Sequence, residues 1–206
     1  MINIQKNPNE PLLLRRHRTS NPGATYDNGP ADMKSEIQQA VVNEQFGLCC
    51  YCMQRISPET VRVEHVLSQK KHPTQTLDYS NMAGACSCSK GLPKEQQYCD
   101  IYKGEMDFTF NLSCIQDKIQ YEPQGKIKSS NSHLDDQLNN VLNLNVKYLV
   151  EQRRAVREIV THFLSLEKTR GEIQSKIKQL SSPRNGMKDI FCGVMIFFLQ
   201  KRLARI

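Results

Sequence analysis

A mainly helical α+β chain carrying one small metal-bearing β insert is what this sequence predicts. Three observations carry that reading. Apolar residues recur at helical spacing from Pro30 to Gly47 and again from Ser132 to the C-terminus. One short stretch, Val61-Arg62-Val63-Glu64-His65-Val66, alternates apolar and polar residues as a half-buried strand does. Around that stretch stand Cys49, Cys52, Cys86 and Cys99, a spacing suited to a shared metal ion.

Taken in order, residues 1–30 are expected to be an irregular basic segment. Pro8, Pro11, Pro22, Gly23, Gly29 and Pro30 punctuate it, and Arg15-Arg16-His17-Arg18 makes it positive. A helix is predicted next, opened by Pro30 and closed by Gly47, with Met33, Ile37, Ala40, Val41 and Phe46 near one face. The strand at 61–66 follows. From Ser132 a helix is expected, capped by Ser132 with Asp135, with Leu134, Leu138, Val141 and Leu142 as its stripe. A second begins near Asn145, residues 167–179 are a charged stretch, 181–186 are a turn, and a final helix runs from about Lys188 to Leu203. No internal repeat or low-complexity tract is present.

With 206 residues, 38% of them apolar, the chain can bury one ordinary core or a small core with a helical annex. Its net charge of +7 suits a polyanionic partner such as nucleic acid. The N-terminus lacks the apolar run of a secretory signal, and Ile190 to Leu199 is too short to span a bilayer, so a soluble cytoplasmic protein is expected. In that reducing setting eight cysteines point to metal rather than to disulfides. There is no phosphate-binding Gly-rich loop of the Gly-x-x-x-x-Gly-Lys type, so ATP binding through such a loop is excluded.

Tetrahedral zinc takes four ligands. Cys49-x-x-Cys52 is a knuckle that supplies two; Cys86 and Cys99 are the expected second pair, with Cys88 an alternative to Cys86. Cys114 and Cys192 are expected to be buried as small hydrophobes. Between the thiols lie groups suited to hydrolysis. A histidine accepts a proton near neutral pH, and carboxylate and amide oxygens suit Mg²⁺. Glu64-His65 puts both groups at a strand end, and Asn81 and Asp100 can close the pocket from a loop and a short helix. His17, His72, His133 and His162 have no such frame and are expected to be solvent or packing residues.

The order Cys49-x-x-Cys52, Glu64-His65, Asn81 with Cys86 five residues on, then Cys99-Asp100-x-x-Lys103, resembles the cysteine-containing HNH (ββα-metal, His-Me finger) endonucleases. Two departures stand out. The last cysteine pair is stretched by ten residues, and the final catalytic position, usually Asn or His, is Asp100. The resemblance extends to PtuB-like HNH subunits of Septu and retron-associated anti-phage systems, through Glu44-Gln45-Phe46-Gly47-Leu48-Cys49-Cys50-Tyr51-Cys52, Leu142-Asn143-Leu144-Asn145 and the closing apolar helix.

That resemblance implies structural zinc at the four cysteines. It implies His65 as general base, Glu64 and Asp100 as ligands of a catalytic Mg²⁺ or Mn²⁺, and Asn81 as the residue that steadies the loop orienting His65. Lys103 would contact phosphate, the alternative being a solvated lysine. Arg15, Arg16, Arg18, Lys70 and Lys71 are candidate nucleic-acid contacts, the alternative being ordinary solvated charge. The implied partners are nucleic acid, a PtuA-like ATPase and, in retron systems, the retron reverse transcriptase with its RNA–DNA hybrid; no membrane is expected. The organisation expected is the basic segment 1–30, a nuclease core 31–128 with the zinc staple, and a helical region 129–206 packed on it. The rival expectation is a non-catalytic zinc-finger protein that binds nucleic acid without cutting it.

Overall fold

Helix α1 (Leu12–Ser20) and helix α2 (Ala31–Glu44) open the computed structural model, which describes residues 1–206. α2 forms where predicted. Pro30 precedes it, Asp32 lies in the positively polarised first turn, and Met33, Ile37 and Val41 recur on one face and are fully buried. It ends because Phe46 and Gly47 both take left-handed backbone, φ 53° and 71°.

The first thirty residues are not irregular. α1 occupies nine of them, and Met1, Ile2, Ile4 and Leu14 lie in the core. The prolines that suggested a loop flank the helix instead of interrupting it. Its first N–H groups are capped from another element: the Glu36 carboxylate of α2 accepts from Leu12 and from Leu13, the latter at 2.7 Å. A cap supplied across space leaves no local sequence signal.

Strands β1 (Val61–His65) and β2 (Met82–Cys86) pair antiparallel, Val61 opposite Cys86 and His65 opposite Met82. A lone two-stranded ribbon is marginal in water, so this one leans on its surroundings. β2 is buried along its whole length. Gln45, at the end of α2, acts as a substitute strand: its side-chain amide donates to the Gly84 carbonyl at 2.8 Å and to Leu48 at 2.7 Å, and accepts from the Gly84 N–H. After β2 come a short helix α3 (Cys99–Lys103) and a small hairpin of β3 (Gln120–Tyr121) and β4 (Ile127–Lys128).

The C-terminal part contains α4 (Ser132–Asp136), which widens into a π turn at 137–141, then α5 (Lys147–Ser165), α6 (Arg170–Ser181) and α7 (Cys192–Leu203). The cap of α4 is Asn131, whose side chain accepts from Leu134 N–H, rather than Ser132. The charged stretch at 167–179 is mostly α6. A capping box formed by Thr169 and Glu172 starts it, and Ile173 and Leu180 are its buried residues. Cys192 is buried as expected. Cys114 is exposed instead, because a short turn holds it at the surface with its sulfur against the Asn111 carbonyl.

The boundary expected at 128–129 does not divide the core. Leu134, Leu138, Leu142, Leu144 and Leu149 share one cluster with Met33 and Ile37. Only Val160, Ile173, Leu180, Ile196 and Leu199 form a separate small cluster. α7 belongs to both. Its Gly193 sits where a Cβ would lie 2.8 Å from the Met1 carbonyl oxygen and 2.9 Å from the Met53 sulfur, so the helix passes tight against the cysteine knuckle.

The β3–β4 turn is held to α5 by Arg153, which is buried without a carboxylate partner. Its guanidinium donates to the carbonyls of Gly125 at 2.6 Å and Leu144 at 2.7 Å; burial lowers its pKa to about 10. Gly125, at φ 96°, approaches α5 so closely that a Cβ there would lie 2.1 Å from the Val150 carbonyl. Arg153→Met should therefore cost about 2–4 kcal/mol in urea unfolding, because it strands buried carbonyl acceptors, and Gly125→Ala should also destabilise. Wild-type stability in both would show that the turn is not clamped.

Candidate functional site

The site begins with four sulfurs. Cys49 and Cys52 lie on a knuckle after α2, closed by Cys49 N–H to Gln54 and Met53 N–H to Cys49, with Met53 at φ 64°. Cys86 ends β2 and Cys99 starts α3, at φ 57°. All four are buried, and their sulfur atoms lie within 4.8 Å of one another. Cys49 and Cys99 are 3.9 Å apart and Cys52 and Cys86 3.6 Å. A disulfide needs about 2.05 Å. A tetrahedral ion with metal–sulfur bonds of about 2.3 Å sets its sulfurs roughly 3.8 Å apart. The spacing fits a metal ion.

Charge points the same way. Although burial opposes it, hydrogen bonds from the sulfurs of Cys50, Cys52, Cys86 and Cys99 hold the Cys49 thiol well below its ordinary value. Burial pushes Cys52 and Cys99 up. Without a cation the dry pocket tolerates one thiolate easily and further ones at growing cost; a divalent ion offsets that repulsion. Cys88 is exposed and outside the cluster, and Cys50 is buried but also outside it.

The knuckle reaches the neighbouring polar cleft through Tyr51, whose buried hydroxyl donates to Glu64 Oε1 at 2.8 Å. Glu64 is buried, and Lys103 Nζ lies 3.0 Å from the same oxygen. Burial, reinforced by the adjacent Asp100 carboxyl, pushes Glu64 well above the usual carboxylate range. Burial would raise Asp100 too, but hydrogen bonds from Glu64 and Arg62 hold it below its ordinary value. The two acids thus shift in opposite directions, and a divalent cation beside them would ease the repulsion between two ionised carboxylates.

His65 is almost fully buried. Its Nε2 lies 3.0 Å from the Thr76 carbonyl, and the ring meets Tyr26 edge-on with centroids 4.9 Å apart. A carbonyl only accepts, so the proton sits on Nε2 and Nδ1 carries a free lone pair; no group in the chain hydrogen-bonds to Nδ1. Burial lowers the imidazole pKa, which keeps the ring neutral. Glu64, His65, Asp100 and Lys103 line one cleft of about 650 Å³, whose lining residues are mainly polar.

Asn81 is not in that cleft. Its amide accepts from Leu67 N–H at 2.8 Å and donates to the Leu67 carbonyl at 3.0 Å, clamping the chain just past His65. Lys103 is neither solvated nor free for a phosphate; besides Glu64 it donates to the His65 carbonyl at 2.9 Å. Lys70 and Lys71 pair with Glu105 and Asp107, and Arg18 forks onto Glu10. Besides Lys103, only Lys70 of the basic candidates borders the cleft; Arg15 and Arg18 line a different surface pocket, and Arg16 is exposed on α1. No third His, Cys, Asp or Glu joins Glu64 and Asp100.

Sequence reasoning missed Tyr51, Arg62, Tyr26 and the Thr76 carbonyl. Arg62 had a signal, since it shares a strand face with Glu64 two residues on. Tyr51 had a weaker one, lying inside the cysteine knuckle. The other two come from distant loops. No protein-family model matches this chain, and no curated protein matches it.

Cys86→Ser should lose bound metal, measured by elemental analysis of purified protein, and melt well below the parent, whereas Cys88→Ser keeps both. Equal losses from the two would overturn the ligand set. Lys103→Met should destabilise by about 3 kcal/mol by leaving Glu64 buried without its cation. Adding Glu64→Gln should recover much of that loss, and additive penalties would show that the pair is not coupled.

Proposed function

We propose that this protein is a metal-dependent endonuclease of the HNH class, with zinc as the ion of the four-sulfur site. One observation carries the reading: a neutral histidine with a free Nδ1 shares a polar cleft with two adjacent carboxylates. Phosphodiester hydrolysis asks for that set, a base for water and anionic oxygens for a hard divalent ion.

In this mechanism His65 Nδ1 accepts a proton from the attacking water. The Nε2–Thr76 bond fixes the tautomer and stabilises the imidazolium that results. Asn81 acts as a positioning residue through Leu67. Glu64 and Asp100 would hold Mg²⁺ or Mn²⁺, and two carboxylates suffice because Mg²⁺ keeps several waters and takes substrate oxygens. When bound, that ion supplies positive charge against the oxygens of the scissile phosphate. Lys103 and Tyr51 orient Glu64. The zinc holds the loops together and takes no part in proton transfer.

On its sequence resemblance to PtuB-like proteins, the nuclease would serve as effector subunit of an anti-phage complex. A PtuA-like ATPase would restrain it, joined in retron systems by the reverse transcriptase and its RNA–DNA hybrid. A cytoplasmic setting follows from that role; no helix is long and apolar enough to cross a membrane.

Incubating the protein, alone and with its ATPase, with plasmid and with total RNA tests the proposal. Cleavage should require added Mg²⁺ or Mn²⁺. His65→Ala should fold, retain zinc and lose about 10²–10⁴-fold in rate, and Asp100→Asn should raise the Mg²⁺ needed for half-maximal rate. Undiminished cleavage by His65→Ala would refute the mechanism, and binding without any cleavage would leave a zinc-finger binding protein.

A further inference from the structure

Much of the positive charge expected to meet nucleic acid is already neutralised. Arg18, Lys70, Lys71 and Lys103 all face carboxylates within 4 Å. A different set of cations is free. Where α5 and α7 meet, a cavity of about 300 Å³ is rimmed by Arg157, Lys201, Arg202 and Arg205. None of the four takes part in an ion pair, and no acidic residue lines the cavity. Its floor is apolar, built from Val160, Leu164 and Phe198.

Four like charges around one small cavity repel one another and do nothing for the fold. They are compensated when an anion arrives. Planar guanidinium groups match phosphate oxygens in pairs, and an aromatic ring beneath them offers a face to a base or sugar. An apolar floor under a cationic rim therefore suits a ligand that alternates flat apolar groups with phosphates. We propose that this cavity is a second nucleic-acid contact, which holds the phosphates and a base of a single strand. A lipid surface fits it less well: Val160 is buried and Leu164 and Phe198 are half-buried, so little apolar surface is free to enter a bilayer. The inference extends the proposed function to where a strand is held, and it concerns binding alone.

The test is fluorescence anisotropy on the full chain carrying His65→Ala, without added divalent cation, using short labelled single-stranded DNA and RNA of mixed sequence. The combined change Arg157→Gln, Arg202→Gln and Arg205→Gln should weaken binding at least about tenfold and flatten the dependence of log affinity on log salt by about 0.7 for each phosphate that is no longer neutralised. Lys201→Glu, at an exposed position, provides an independent variant that leaves folding alone and should also weaken binding. Circular dichroism and metal content confirm the fold. Unchanged affinity and salt slope in both variants, or no binding of either strand before these changes, would overturn the proposal. Binding through these residues with no cleavage by the unmodified protein would sink the nuclease reading and leave this one standing.

Discussion

Four sulfur atoms mark the point where three separate stretches of chain meet. The knuckle at 49–52, the end of β2 at Cys86 and the start of α3 at Cys99 converge on one point. Neither a two-stranded ribbon nor a five-residue helix is stable alone. Met53 and Cys99 both adopt left-handed backbone, each at a cost of order 1–3 kcal/mol. A metal ion held by the four sulfurs would offset such costs, since its binding energy counts directly towards folding. The polar cleft hangs from the same point: Tyr51 lies inside the knuckle, Asp100 follows Cys99, and Lys103 ends the helix that Cys99 begins.

Around this centre much of the backbone belongs to no regular element, and side chains supply hydrogen bonds to it. Side-chain amides do the work of missing strands. Gln45 pairs with Gly84, Asn81 with Leu67, and Asn145 with Ile127, the last through an N–H to Oδ1 bond and a return bond to the carbonyl, both 2.9 Å. Asn143, at φ 47°, donates to the Gln97 carbonyl, and Leu142 accepts from the Cys99 N–H, so that segment braces the start of α3. Buried amides carry both donors and acceptors, so one residue can close a gap that would otherwise leave several backbone groups unpaired. The same logic explains Arg153, whose charge is spread over carbonyl oxygens instead of a carboxylate.

The charges divide into two populations that composition does not separate. One is consumed internally: Arg62 on Asp100, Lys103 on Glu64, Lys6 on Glu44. Lys6 also lies 3.5 Å over the Tyr79 ring, and Tyr79 donates to the same glutamate, which fastens the N-terminal segment to the end of α2. The other is unpaired, and four of its members, Arg157, Lys201, Arg202 and Arg205, gather where α5 meets the end of α7. A gathered, unpaired set gains most from meeting a polyanion.

The sequence by itself determined the elements with a strong local period or a strong ligand pattern. Helix α2, strand β1 and the long helix from Lys147 follow from apolar spacing, because burial of one face selects that period. The proximity of Cys49, Cys52, Cys86 and Cys99 follows from ligand chemistry, which does not depend on what lies between. Tertiary structure decided the rest. It made α1 a helix by capping it from Glu36, chose Cys86 over the exposed Cys88, drew residues 134–149 into the main core, and buried Lys103 where a phosphate contact or a solvated lysine was expected. Each of those outcomes depends on a group distant in sequence, and a local pattern holds no record of what will face it across the fold.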